Sequence, residues 1–159
     1  MDVVLDEDFA KVWSDSRTPI VFSTIRQLPT TLAGLASLCD RHLQLVRKTK
    51  KKYHAAYSIT DLSSCSPVPL NVAFNYSENF VPKQFRAGLL FKAFIRPRNL
   101  VTRSTLDTAL KITNTSQIGL YNSFEEALKD INRKIAEGRL RKQDPVATAW
   151  DGFWRMLSL

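Results

Sequence analysis

The chain is poor in the residues that mark several large functional classes. Its 159 residues include two cysteines, Cys39 and Cys65, and no Cys-x-x-Cys pair. That excludes a disulfide framework and the common zinc spacings, and it matches reduced, intracellular usage. The two histidines, His42 and His54, have no cysteine or carboxylate at ligand spacing and make a poor metal site. A dyad of either with Cys65 follows no spacing rule. Five dispersed glycines leave no phosphate-cradling loop, which argues against P-loop and dinucleotide-binding enzymes. No apolar run approaches the ~18 residues that a membrane span needs. The acidic start, Met-Asp-Val-Val-Leu-Asp-Glu-Asp, has no signal-peptide core. A soluble, cytoplasmic protein with neither metal nor cofactor is expected.

What is present is ordinary for a globular chain: 44% apolar and 24% charged residues. The length suits one domain with a full core. The charge is lopsided, with 23 Lys+Arg against 15 Asp+Glu and a net +8, which favours phosphate-rich or acidic partners.

Residues 9–13 alternate, and residues 20–25 are β-branched and aromatic; the Asp-Ser-Arg-Thr-Pro turn between them predicts an antiparallel hairpin. Pro29-Thr-Thr31 opens a helix whose apolar stripe runs Leu32, Leu35, Ala36, Leu38, Cys39, Leu43 and Val46. It ends in Arg47-Lys-Thr-Lys-Lys-Lys52. Cations suit a helix C-terminus, but five in six residues exceed that need. Residues 53–62, Tyr-His-Ala-Ala-Tyr-Ser-Ile-Thr-Asp-Leu, read as a central strand covered by helices. Prolines at 67 and 69 make the following stretch a loop. A helix is expected over 71–80, interrupted near Pro82, then a strand at 89–95, a helix at 100–113 and a strand at 118–121. Ser123-Phe-Glu-Glu126 is a capping box opening a helix that runs to Ala136 and stops at Gly138. In the tail, Trp150, Phe153, Trp154 and Leu157 recur at i, i+3, i+4 and i+7, an amphipathic stripe. The order predicts an α/β fold with one mixed sheet of about five strands over 1–138, then a basic linker and C-terminal amphipathic helix over 139–159.

With that order in hand, the chain resembles the STAS-like domains, the family of sulfate-transporter and anti-sigma-factor-antagonist modules. The likeness covers roughly residues 9–138. It rests on the strand ending Thr60-Asp-Leu-Ser63, on the 91–95 strand before a helix, and on Ile118-Gly-Leu-Tyr-Asn-Ser-Phe-Glu-Glu-Ala-Leu128. The phosphorylatable members carry an Asp-Ser-Ser-Gly-like turn after the central strand. Here that place holds Ser64-Cys-Ser-Pro-Val-Pro-Leu-Asn71, without glycine. The resemblance implies a non-catalytic regulatory or protein–protein interaction module.

Three sets of candidate contact residues follow. Asp61, Ser63, Ser64 and Ser66 sit at the carboxyl end of the central strand, where ligands of open α/β sheets bind; Asp61 also suits a simple turn cap. Arg47, Lys48, Lys50, Lys51 and Lys52 form an anion-binding candidate for nucleic acid or an anionic surface, or else a solvated face. The Trp150, Phe153, Trp154 and Leu157 stripe suits docking on its own domain, a protein partner, a homodimer or a membrane surface. No catalytic motif stands out, and a non-enzyme is expected.

Overall fold

The computed structural model describes residues 1–113, 116–143 and 156–157. The chain divides into two compact units, residues 1–127 and 128–159. The element order is β1 (Asp2–Glu7), β2 (Ala10–Ser14), β3 (Ile20–Ile25), α1 (Leu32–Tyr53), β4 (Ala56–Asp61), α2 (Leu70–Asn75), a π-helical segment (Tyr76–Phe80), α3 (Val81–Arg86), β5 (Leu89–Ile95), α4 (Leu100–Thr113), β6 (Ile118–Tyr121) and α5 (Phe124–Gln143). The strands form one six-stranded sheet whose spatial order is the chain order. β1, β2 and β3 pair antiparallel; β3 to β6 pair parallel.

Consecutive parallel neighbours need a crossover each, and such crossovers are right-handed. Repeated in one direction, they stack α1, α2–α3 and α4 on the same face of the sheet. The buried core agrees: Leu35, Leu38 and Val46 of α1, Val72 and Val81 of the next helices, and Leu106 and Ala109 of α4 join Val12, Val21, Ile25 and Phe94 in one cluster. Each of these helices therefore starts at the carboxyl edge of the parallel strands and ends at the amino edge. On the opposite face, Tyr57, Ile59, Phe91, Ala93 and Ile95 are buried. There Trp13 stacks on Phe22 at 5.6 Å, and Phe124, opening α5, lies 6.1 Å from the same ring.

Several local signals act as expected. β2 and β3 form the hairpin, with Ala10 opposite Ile25 and Ser14 opposite Val21. Thr31 caps α1 by accepting the Gly34 N–H at 3.1 Å. At the head of α5 the Ser123 hydroxyl accepts from the Glu126 N–H at 3.2 Å; the Glu126 carboxylate reaches back to the N–H of Asn122, one residue earlier than the usual partner.

Four expectations need correction. The sheet has six strands rather than about five, because Asp2–Glu7 adds an edge strand. Its acidic ends hid it, and the hairpin supplies what the pattern lacks, including a Lys11–Asp6 ion pair (3.4 Å) across directly opposed positions. The central strand begins at Ala56; Tyr53 is the last residue of α1, and His54 is its left-handed C-cap (φ 59°), donating its N–H to the Lys50 carbonyl at 2.9 Å. Pro82 does not break the chain of helices, since it lies at the start of α3, where its missing N–H costs little. α5 continues through Gly138 to Gln143. A glycine ends a helix through positive φ, and among the described glycines only Gly88 has it; the residues after Gly138 are good helix formers. In the second unit, Arg133 pairs with Asp130 and, at 3.3 Å, with Glu137 along the same helix. Trp150, Phe153 and Trp154 lie outside the described residues; Leu157 is helical and exposed.

Gly88 joins α3 to β5 at φ 109°, and a Cβ there would sit 3.0 Å from Lys50 Cγ. Gly88→Ala is expected to cost about 1–2 kcal/mol, read as a lower urea midpoint at unchanged m-value.

Candidate functional site

The carboxyl edge of the parallel strands gathers the loops that precede the helices. Asp61 ends β4, and its Oδ1 accepts the Ser63 N–H at 2.8 Å, a local Asx turn. The loop 61–69 is fastened on both sides through backbone. The Ser66 N–H donates to the Arg26 carbonyl (2.7 Å) at the end of β3, and the Ser63 carbonyl accepts from the Arg98 N–H (3.2 Å) beyond β5. Ser64, Ser66 and Pro67 face solvent, while Cys65 turns inward. The structure thus brings Asp61, Ser63, Ser64 and Ser66 together on one anchored loop, with the two outer serines accessible.

Apolar side chains share this edge. Leu32 is 67% exposed in the first turn of α1, Leu70 52% in that of α2, and Leu100 and Val101 75% and 69% in that of α4. A groove of about 420 Å³ lies between the β1–β2 hairpin and α1, lined by Leu5, Phe9, Leu28 and Gly34 among others. A second, of about 300 Å³, lies between α1 and α2 and is lined by Thr31, Leu32, Asn71 and Asn75. The segment 29–31 is the ridge between them. Arginines flank the edge. Arg96 faces Asp107 at 3.7 Å, Arg103 donates to Asn122 Oδ1 at 2.8 Å, and the Arg98 side chain is exposed.

The five anion-binding candidates lie at the other end of α1, and the ammonium groups of two of them are engaged. Lys48 pairs with Asp2 at 2.8 Å, which holds the Asp2 carboxyl below its usual range. Lys52 donates to the Ser16 carbonyl at 3.0 Å, and Tyr53 donates to the same oxygen. Lys50 lies along Gly88. Arg47 and Lys51 are exposed.

A third constellation is absent from the sequence reading: a polar patch beneath α1. Lys92 of β5 is 0% exposed. Register places it opposite Ser58, with Thr60 opposite Ser23. Lys92 Nζ donates to Thr60 Oγ1 (2.9 Å) and Ser58 Oγ (3.3 Å), and the Ser23 hydroxyl donates to Thr60 Oγ1 at 2.9 Å. His42 of α1 meets Ser58 Oγ through Nε2 at 3.2 Å. Burial depresses the Lys92 ammonium from its ordinary 10.5 to about 7, and burial with the nearby lysine holds His42 neutral, well below 6.5. Burial likewise pushes the Cys39 thiol up to about 12 and the Cys65 thiol up to about 11, so neither is a ready thiolate. Burial, with Cys39 adding to it, raises the Tyr76 phenol far above 10.

Ser58 therefore stands between an imidazole and a near-neutral amine, the partners that activate a serine nucleophile. Access decides against that use. Ser58 is wholly buried, and the adjoining cavity, lined by Ser23, Cys39, His42, Tyr76 and Gln84, has a volume of about 10 Å³. That is room for about one water and no substrate. The patch is better understood as a polar staple joining three strands to α1. One signal pointed to it: a lone lysine inside the otherwise apolar run Leu89–Ile95.

Among the described residues no group of three or more His, Cys, Asp or Glu could hold a metal, and no helix is long and apolar enough to cross a membrane. His42 is buried and His54 exposed at the α1 cap. Comparison with protein-family models and with curated proteins returns no match.

The depressed Lys92 fixes the sign of a pH effect. Between its native value near 7 and its unfolded 10.5, the unfolded chain binds more protons, so stability rises with pH. The cost of burying the ammonium is fully present below pH 7. From pH 7 to 8.5 the unfolding free energy is expected to rise by about 1 kcal/mol, the gain at Lys92 exceeding the opposing loss from unfolded thiols, which ionise near 8.5 while the native thiols stay protonated. Lys92→Met should flatten that slope and raise the midpoint at pH 7; a wild-type urea midpoint that falls over this interval would contradict the assignment.

Proposed function

We propose that the chain is a cytoplasmic, STAS-like, non-enzymatic regulatory module that docks a protein partner on the carboxyl edge of its sheet. The observation that carries this reading is the solvent exposure of Leu32, Leu70, Leu100 and Val101 on the first turns of successive helices. Exposed large apolar side chains gathered on the same edge of the sheet suit an interaction surface. Apolar anchors beside arginines match the composition of interface centres. The occupant that fits is a polypeptide segment carrying aliphatic side chains for the grooves flanking residues 29–31 and a carboxylate for Arg98.

The anchored loop 61–69 supplies the regulatory part of the reading. Ser64 and Ser66 stand at the rim of the same edge, so a phosphate on either adds about two negative charges beside the docking surface. It would oppose a partner that brings a carboxylate to Arg98.

A photo-crosslinking residue placed at position 70 or 100 is expected to trap a protein in native cells, and one placed at position 51 is expected not to trap the same protein. Leu70→Asp with Leu100→Asp should abolish the adduct from a probe at position 32 and change stability by no more than about 0.5 kcal/mol each. An adduct of equal yield in the double variant would overturn the reading.

A further inference from the structure

We infer that the opposite, amino edge of the sheet binds the phosphate backbone of nucleic acid, a second surface separate from the partner-docking edge. Sequence alone leaves the cations as scattered groups. The topology collects them, because α1, α3 and α4 all return to the amino edge before the next parallel strand. Their last turns carry Lys50, Lys51 and Lys52, then Lys83 and Arg86, then Lys111. Direct packing shows that the first two ends are neighbours: the Lys50 side chain lies on Gly88, two residues after Arg86. Packed helices run 8–10 Å apart, and Arg47 and Lys51 are one turn, about 6 Å, apart on the exposed side of α1. Arg47, Lys51, Arg86 and Lys111 are exposed and have no carboxylate partner among the described residues.

The cations outweigh what the fold itself needs. Each helix end presents about half a negative charge, less than the cations that it bears. Acids at this edge are few. Asp2 is taken by Lys48, and Asp15 accepts the Arg17 N–H in the β2–β3 turn. The hairpin acids Asp6, Glu7 and Asp8, with Asp61, Glu125 and Glu126, belong to the carboxyl edge instead. The first unit is thus electrically polarised along its strands. Leu32, Leu70, Leu100 and Val101 are exposed at the carboxyl edge, and Met1, Val3 and Leu90 at the amino edge. An edge where cations outnumber the exposed apolar side chains suits phosphates more than the interior of a bilayer, where apolar side chains must be buried.

Fluorescence anisotropy with a labelled 20-base-pair DNA duplex and a 20-nucleotide RNA, titrated from 20 to 200 mM salt, tests this. For about four phosphate contacts the logarithm of the binding constant should fall against that of salt with a slope of about −3 to −4. Arg47→Glu, Lys51→Glu and Arg86→Glu combined should weaken binding by about tenfold or more, whereas Arg98→Glu at the other edge should leave it within twofold; circular dichroism checks the fold of both. No binding at 20 mM salt, binding that survives the triple reversal, or equal loss in Arg98→Glu would overturn the inference. So would tighter binding to phosphatidylserine vesicles or to polyglutamate than to either nucleic acid. None of these outcomes bears on adducts at positions 70 and 100, so the two surfaces fail or stand separately.

Discussion

Everything in the first unit follows from one constraint: β3 to β6 lie side by side, parallel, in chain order. A parallel neighbour cannot be reached by a tight turn, so the chain must leave the carboxyl edge, cross a face and return to the amino edge each time. Because the order never reverses, the crossovers fall on one face. The helix starts then share one edge and the helix ends share the other. Caps, apolar first turns and the loop 61–69 gather at the first; basic last turns gather at the second. The two surfaces are consequences of a single connectivity.

The same connectivity explains the cost accepted inside. A strand covered on both faces should be apolar throughout, yet the three middle strands bring Ser23, Ser58, Thr60 and Lys92 under α1. Each hydroxyl has a partner in this patch, and the amine has two. A satisfied network of this kind specifies register, because a slip of one residue in β5 would send Lys92 to the other face beside Tyr57 and Ile59. Burial holds the amine down to about 7, and no carboxylate stands in the patch to offset it. Nearby, the chain 70–86 passes over the cluster through a π-helical segment that points Tyr76 inward and seats Ser77 on the Ala109 carbonyl at 2.8 Å.

Sequence and structure agree most where interactions are local. The Thr31 cap, the box at 123–126, the β2–β3 hairpin and the β5 and β6 runs each depend on a few adjacent residues. They disagree where a distant partner settles the matter. Asp2–Glu7 is too acidic to announce itself, and it becomes a strand because β2 offers a ladder and Lys11 an opposite charge. Tyr53 and His54 have the composition of a strand start, but the Tyr53 hydroxyl reaches the Ser16 carbonyl from the last turn of α1, and His54 tolerates the left-handed cap. Gly138 lacks the positive φ that would let it end α5.

By itself the sequence determined the class of fold, the helix starts and the presence of excess cations after residue 46, because periodicity, caps and charge are written residue by residue. It also named Asp61, Ser63, Ser64 and Ser66, whose position after a buried strand marks a carboxyl-edge loop. Only the tertiary structure decided that Leu32, Leu70, Leu100 and Val101 share that edge, that Lys48 and Lys52 are already engaged while Arg47 and Lys51 are not, and that Lys92 is buried among hydroxyls. The reason is physical. Burial, ion pairing and pKa depend on which groups the crossovers bring within a few ångströms, and residues far apart in the chain carry no local sign of that meeting.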